Sequence, residues 1–180
     1  MSTVVAQTVT GTVAFTDIVG FTTFTAEEGD ERALEVLAAQ AAVVERVLPD
    51  DARLVKELGD GLMLWFPDAS TAVHVALAMQ SALAEDASGD DGFPLWVRVG
   101  MHAGSQRCRG TDLIGHDVNV AARIVDLAGP GEVLVSQATV DDAGGGLDHL
   151  EVVEVGPVVV KGIPDPVWIH RVEAGAAIQL

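Results

Sequence analysis

The chain has 180 residues, of which 49% are hydrophobic and 21% charged, with 27 acidic against 10 basic side chains. This length is most simply one domain with a real core, and we predict a single domain over residues 1–180, its core at about 9–173. The formal net charge of −17 leaves no basic stripe to hold a phosphate backbone, which argues against a nucleic-acid partner.

Export and membrane insertion are not supported by the sequence. No stretch approaches 18 unbroken apolar residues, and the first ten residues lack the basic start and apolar run of a signal peptide. Cys108 is the single cysteine, so neither an internal disulfide nor a cysteine zinc cluster can form. We therefore predict a cytoplasmic location, with no membrane segment in this chain.

The first elements are a strand and a helix. An apolar run rich in Val, Thr and Phe over residues 9–16 predicts a buried strand that ends at Asp17. Thr25 and Glu28 have the spacing of a capping box, which predicts that a helix begins there. Its predicted apolar face consists of Leu34, Leu37, Ala41, Val44 and Leu48.

A hairpin follows. Two short apolar segments, residues 52–58 and 61–66, flank the sequence Gly-Asp-Gly, which is a turn signal. This predicts that Asp60 lies on a tight turn and that Lys56 lies four residues earlier on the incoming strand.

The second half of the chain is also predicted to contain both helices and strands. Ser70 is a candidate cap for a helix whose predicted buried face is Ala72, Ala76, Met79 and Leu83. The next predicted segments are a loop at 86–94, a strand at 95–104, a short polar turn, and a helix and strand within 115–136. Residues 144–146 predict a flexible connection, and two terminal strands enclose a turn with Lys161. The simplest fold class is α/β, one domain with a mainly antiparallel sheet.

Two carboxylates are candidates for metal binding. Asp17 and Asp60 both lie at strand ends or turns among apolar neighbours, where ionised groups are costly unless a cation joins them. Mg²⁺ prefers such oxygen ligands together with substrate phosphates. Gly20, with the amides of Thr22 and Thr23 at a helix start, could receive those phosphates. Simple turn roles for both aspartates remain open on this evidence alone.

Four motifs carry a resemblance. The segments "VAFTDIVGFTTFT", "VKELGDGLMLWF", "GTDLIGHDVNVAARI" and "VVVKGIPDPVWIHRV" occur in this order. Together they resemble the catalytic domain of the class III nucleotide cyclases, above all bacterial adenylate cyclases, over nearly the whole chain. The resemblance implies an α+β sandwich of ferredoxin-like βαββαβ type with flanking helices. It also implies a head-to-tail homodimer in which one chain gives each active site the metal aspartates and the other gives the base-reading, ribose and arginine residues.

The resemblance further implies a role for individual residues. Asp17 and Asp60, helped by the Ile18 carbonyl, would bind two Mg²⁺ or Mn²⁺ ions. The substrate ATP would be held or activated by the remaining positions, namely Lys56 and Asp112 at the base, Asn119 at the ribose, Arg123 at the α-phosphate, Lys161 at the terminal phosphates, and Gly20, Phe21 and Thr22 at the phosphate turn. The implied product is 3′,5′-cyclic AMP, with pyrophosphate as the second product.

The choice of base follows from hydrogen-bond chemistry. Adenine has an acceptor at N1 and a donor amine at N6, whereas guanine has a donor at N1 and an acceptor at O6. Lysine only donates and an ionised aspartate only accepts. Lys56 and Asp112 therefore match adenine, and guanine would leave buried groups unpaired at about 1–3 kcal/mol each.

Three other readings compete with an active cyclase. A receiver domain would use strand-end aspartates and a late lysine, but it expects paired acidic residues and parallel units. A diguanylate cyclase would need a Gly-Gly-Asp-Glu turn, whereas this chain has Leu58-Gly59-Asp60-Gly61. A catalytically inactive cyclase homologue, acting as a nucleotide-binding or scaffold module, is the main alternative.

Overall fold

The structure, a computed structural model, describes residues 7–87 and 93–175. Its strands and helices alternate along the chain. The strands are β1 (Thr8–Val19), β2 (Arg53–Leu58), β3 (Gly61–Phe66), β4 (Trp96–Arg109), β5 (Asp112–Ile114), β6 (Val133–Ser136), β7 (Leu150–Val158) and β8 (Val167–Ala174). The helices are α1 (Phe21–Glu28), α2 (Asp30–Val47), α3 (Ala69–Asp86), α4 (His116–Val125) and α5 (Gln137–Ala143), followed by a short 3-10 helix (Gly144–Leu147).

The strands form one sheet in the order β2-β3-β1-β4-β6-β8-β7, with β5 paired to β4. Every pairing is antiparallel except that of β4 with β6. The order β2-β3-β1-β4, with helices between β1 and β2 and between β3 and β4, is the ferredoxin-like arrangement. The predicted fold class is therefore confirmed, and the single parallel pairing among the described strands, that of β4 with β6, differs from the alternating parallel units expected of a receiver domain.

Helices cover both faces of the sheet. On one face, α2 and α3 pack over a large core that includes Ile18, Phe66 and Met79. On the other face, α4 packs against a smaller cluster that includes Phe15 and Met63. A Cβ at Gly100 of β4 would lie 2.1 Å from the backbone nitrogen of Val125, so only glycine allows α4 to approach this closely.

Several local predictions are confirmed. β2 and β3 form the predicted antiparallel hairpin, with Gly59 and Asp60 in its turn. The predicted face of α3 is buried at all of its positions, Ala72, Ala76, Met79 and Leu83. The two terminal strands also form, as β7 and β8, and Lys161 lies in the turn between them.

The predicted start of the first long helix was wrong. Thr25 lies inside α1, and its hydroxyl donates to the Phe21 carbonyl oxygen at 2.9 Å instead of capping a helix. The helical region is two helices separated at Gly29, and α2 buries a face rotated from the predicted one. That face consists of Ala33, Val36, Gln40, Val43 and Val44. Leu34, predicted to be buried, is 64% exposed.

Four smaller predictions were also corrected. Asp68 caps α3, because its side chain accepts from the Thr71 amide, whereas Ser70 lies in the first turn. The short polar turn after residue 104 is instead the end of β4, which forms a hairpin with β5. Residues 144–146 are part of a 3-10 helix, and α5 was not predicted. Most of the predicted loop at 86–94 lies outside the described residues; of the rest, Asp86 ends α3.

None of the helices in the described segments combines the length and apolar character needed to cross a membrane.

Candidate active site

Asp17 lies on β1, two residues before its end, opposite Arg98 of β4. The Arg98 Nε and a terminal guanidinium nitrogen both lie 2.7 Å from Asp17 Oδ2. A second terminal nitrogen of Arg98 donates to the Asp126 carbonyl oxygen at 3.2 Å, so the loop after α4 holds the guanidinium in place. Arg98 was missed in the sequence, where the only available signal was its place within the predicted strand at 95–104.

Asp60, in the β2–β3 turn, faces Asp17. Partial burial and the negative charge of Asp17 raise the pKa of Asp60 above its usual value of 3.8. The backbone groups of Asp60 itself and of Ile18 act in the opposite direction. The structure therefore brings together Asp17, Ile18 and Asp60, the three positions predicted to bind metal.

The donor set fits a hard cation. Asp17 and Asp60 are close together and partly buried, and the charge of Asp17 raises the pKa of Asp60. A divalent cation bound between them would reduce this electrostatic repulsion. Arg98 contacts Asp17 through Oδ2. No group of three or more His, Cys, Asp or Glu side chains suited to a metal occurs within residues 7–87 and 93–175. Further ligands would therefore be backbone, water or substrate phosphate oxygens.

The turn after Asp17 leads into a helix start. Gly20 has φ of 76°, in the left-handed region that glycine adopts without strain, and it precedes α1. The first amide to bond back to this turn is that of Phe24, which donates to the Gly20 carbonyl at 3.0 Å. The amides of Phe21 and Thr22 precede that bond, as expected for a helix N-terminus that could accept phosphate. Phe21 itself packs against the core, and Thr22 is exposed.

Lys56 and Asp112 form an ion pair. Lys56 Nζ donates a hydrogen bond to Asp112 Oδ2 at 2.8 Å. The side chains of Lys56 and Asp112 are 37% and 34% exposed, so both can be reached from solvent. The Leu113 amide donates to the other carboxylate oxygen at 2.8 Å. The hydrogen bond from Lys56 is the main cause that lowers the pKa of Asp112, so this carboxylate is ionised and accepts hydrogen bonds. A donor and an acceptor thus stand side by side, as the base-reading prediction requires.

The other predicted residues point away from the core. In α4 the side chains of Val120, Ala121 and Ile124 are buried, whereas Asn119 and Arg123 are exposed. Among the described residues, Arg123 makes a 3.6 Å ion pair with Asp126. Lys161 is exposed in the β7–β8 turn. Within the described parts of one chain, no hydrogen bond or ion pair joins Asn119, Arg123 or Lys161 to either metal aspartate.

One face of the sheet carries both pairs of charged residues. Residues paired across antiparallel strands share a face, so Lys56 lies on the same face as Met63 and Phe15. Asp17, two residues after Phe15, points to this face too, together with Arg98. This is also the face on which α4 packs. The Asp17 carboxylate and the Lys56–Asp112 pair therefore lie on the same side of the domain.

Replacing Asp60 with Asn is expected to stabilise the metal-free protein. A raised pKa means that the folded state disfavours ionised Asp60, so at neutral pH the charge weakens the fold. The free energy of unfolding of Asp60→Asn should exceed that of the wild type by about 0.5 kcal/mol, a small value because the site is partly solvated. Urea unfolding at pH 7 in the presence of a chelator measures it.

The same comparison at about pH 3 supplies the control. There the carboxyl group is protonated in both the folded and the unfolded protein, so the advantage of the variant should disappear. An Asp60→Asn protein that is less stable than the wild type at pH 7 would contradict this view of the carboxylate pair.

A ferredoxin-like sheet with two facing carboxylates, a helix start and a lysine–aspartate pair on one side is typical of the nucleotide cyclase class of domains. The chain belongs to the adenylate and guanylate cyclase catalytic domain family, whose model matches residues 4–174.

Among curated relatives, the chain is 31% identical over 167 residues to the pH-sensitive adenylate cyclase MT1302 of Mycobacterium tuberculosis. It is 35% identical over 127 residues to an adenylate cyclase of Streptomyces griseus. These alignments cover 92% and 70% of this chain but only 41% and 31% of the relatives. The chain thus matches less than half of the length of either protein.

Two solved structures have the same fold. The adenylyl cyclase CyaB from P. aeruginosa superposes with a TM-score of 0.80 at 26% identity, over 94% of this chain and 96% of that chain. The guanylyl cyclase Cya2 superposes with a TM-score of 0.78, also at 26% identity, over 97% and 98%. Because an adenylyl and a guanylyl cyclase resemble the chain equally well, overall similarity to them does not determine the base.

Proposed function

We propose that this chain is the catalytic unit of an adenylate cyclase, which converts ATP into 3′,5′-cyclic AMP and pyrophosphate. The observation that carries the proposal is the Lys56–Asp112 pair, a donor and an acceptor 2.8 Å apart on the face that also holds Asp17 and Asp60. This pair matches the N1 acceptor and the N6 donor of adenine. Its direct ion pair would open or be shared when the base binds.

The reaction forms one bond and breaks another at the α-phosphorus. The ribose 3′-oxygen bonds to the α-phosphorus and loses its proton, and the bond to the β-phosphate oxygen breaks to release pyrophosphate. Asp17 and Asp60 would hold divalent cations, Mg²⁺ or Mn²⁺. When bound, such cations supply the positive charge that activates the 3′-hydroxyl and neutralises the leaving group.

The remaining residues orient the substrate and meet its charge. Asn119 would fix the ribose, and the planar, permanently charged guanidinium of Arg123 would meet the α-phosphate oxygens as negative charge develops. Lys161 would hold the terminal phosphates with the helix start at Gly20, Phe21 and Thr22. Arg98 forms an ion pair with Asp17 and so places a positive charge beside the Asp17 carboxylate.

We further propose that two copies assemble head to tail as a homodimer with two shared sites. Asn119 and Arg123 are exposed and make no bond to the metal aspartates of their own chain within the described residues, which supports their acting on a partner's half-site. Each chain carries both sets of residues, so a symmetric pair contains two complete sites.

The test is product formation by the purified chain from ATP and from GTP, each with Mn²⁺ or Mg²⁺. We expect cyclic AMP, with kcat/KM for ATP about 10- to 100-fold above that for GTP, because guanine leaves buried groups unpaired. Faster formation of cyclic GMP would contradict the roles of Lys56 and Asp112. If neither product forms even at high protein concentration, the inactive, nucleotide-binding homologue becomes the better account.

A further inference from the structure

A buried hydroxyl lies directly behind the two carboxylates. Thr16 precedes Asp17 on β1 and is 3% exposed. Its Oγ1 accepts two hydrogen bonds, from Gln40 Nε2 at 3.0 Å and from the Leu62 amide at 3.1 Å. Leu62 follows Asp60 by two residues at the start of β3. One oxygen atom therefore joins the strand of Asp17 to the strand that leaves the Asp60 turn.

Gln40 adds a helix to this contact. It is 1% exposed and lies on the buried face of α2, where its neighbours on that face are Ala33, Val36, Val43 and Val44. A carboxamide among these apolar residues is costly to bury unless it is hydrogen-bonded, and an apolar side chain of similar size would avoid that cost. Its one side-chain hydrogen bond among the described residues is to Thr16, so the contact fixes α2 against β1 and β3.

Thr12 shows that burial alone does not explain the contact. It lies four residues before Thr16 on the same strand and therefore on the same face. It is 0% exposed, yet its hydroxyl has no hydrogen-bond partner in the described structure. Of these two buried threonines, only the one beside the carboxylates takes part in a polar network.

We propose that Thr16 and Gln40 form a buried polar bridge that holds Asp17 and Asp60 at the separation a divalent cation requires. Both are positioning residues, because neither would touch the cation or the substrate. The bridge would set metal affinity by keeping β1, the β2–β3 turn and α2 in one fixed arrangement. This inference rests on the proposed function, since it concerns the same metal site.

Direct Mn²⁺ binding by the full chain, measured as the loss of the free-ion electron paramagnetic resonance signal, tests the bridge without relying on activity. Thr16→Val keeps the shape of the side chain but removes the acceptor of two buried donors, and should raise the Kd for Mn²⁺ about fivefold or more. Thr16→Ser keeps the hydroxyl and should stay within about twofold of the wild type. Thr12→Val is the matched control and should also stay within about twofold.

A second variant keeps the test decisive if Thr16→Val folds poorly. Gln40→Met removes the donor at similar side-chain length and should weaken Mn²⁺ binding in the same direction. In the double variant the two effects should not add, because both substitutions break one bridge. Thermal unfolding followed by circular dichroism reports stability separately.

The outcomes separate this inference from the proposed function. A stability loss in Thr16→Val or Gln40→Met with the Mn²⁺ Kd unchanged would overturn the bridge and leave a purely structural contact. A wild-type chain that binds no Mn²⁺, or binds it equally well as Asp17→Asn, would overturn the metal site of the nucleotide-free chain and the bridge with it, whereas the proposed function fails only if no cyclic nucleotide forms.

Discussion

Replacing Asp17 with Asn is expected to lower the rate of cyclic AMP formation at least about a thousandfold, about 4 kcal/mol of transition-state stabilisation. Asparagine has the same shape, and its oxygen can still accept from Arg98 on β4. The substitution therefore removes the negative charge that holds a cation while leaving the neighbouring contacts in place. Initial rates at saturating ATP and Mn²⁺ measure the loss.

Asp50→Asn is a suitable control for this experiment. Asp50 is exposed in the turn after α2, and the same chemical change there should leave the rate within about twofold of the wild type. Circular dichroism should show both variants folded. An Asp17→Asn chain that keeps more than about a tenth of the wild-type rate would mean that its carboxylate is not a metal ligand.

Mixing two inactive variants is expected to restore activity. Arg123→Ala should lose about 10²- to 10³-fold in rate by removing the charge at the α-phosphate. Its stability should change little, because its ion pair with Asp126 is long and exposed. In a mixed dimer with Asp17→Asn, one of the two shared sites contains neither substitution. Random assembly of equal amounts makes half of the dimers mixed, so about a quarter of the wild-type activity should return.

The control mixture is Asp17→Asn with Asp60→Asn. Both substitutions fall in the metal half of a site, so every site of the mixed dimer contains one of them and no activity should return. Restoration in the first mixture but not in the second is expected only for sites shared between two chains. Failure of the first mixture to exceed the activity of its separate components would contradict the head-to-tail dimer.

The sequence predicted the candidate site better than it predicted the environment of that site. Asp17 and Asp60 were singled out by their places at strand ends and turns, the four-motif resemblance implied that they bind metal, and the structure brings them together with Ile18. Arg98, Thr16 and Gln40 were missed. Arginine on a strand, threonine in an apolar run and glutamine in a helix are each ordinary residues for their element. Their polar contacts are with partners that are 81, 46 and 24 residues away in the chain.

Errors at the helix ends have a different cause. The Thr25–Glu28 spacing is a valid capping pattern, but Gly20 and Gly29 start the two helices, and Thr25 bonds within the first of them. Capping contributes about 1 kcal/mol, and packing of α2 on the sheet contributes more, so packing decides which face is buried. Residues 144–146 were likewise predicted to be flexible, yet the Gly146 carbonyl accepts a hydrogen bond from Ser70 of α3.

The sequence by itself determined most of the periodic elements, the β2–β3 hairpin and the order of four motifs that identify the family, because hydrophobic alternation and turn chemistry are local properties of the chain. Only the tertiary structure decided which side chains meet. It showed that Lys56 pairs with Asp112, that Arg98 holds Asp17, and that Thr16 bonds to both Gln40 and the Leu62 amide. These contacts depend on strand register and helix packing, which are set by the burial of the whole core and leave no pattern in any one segment.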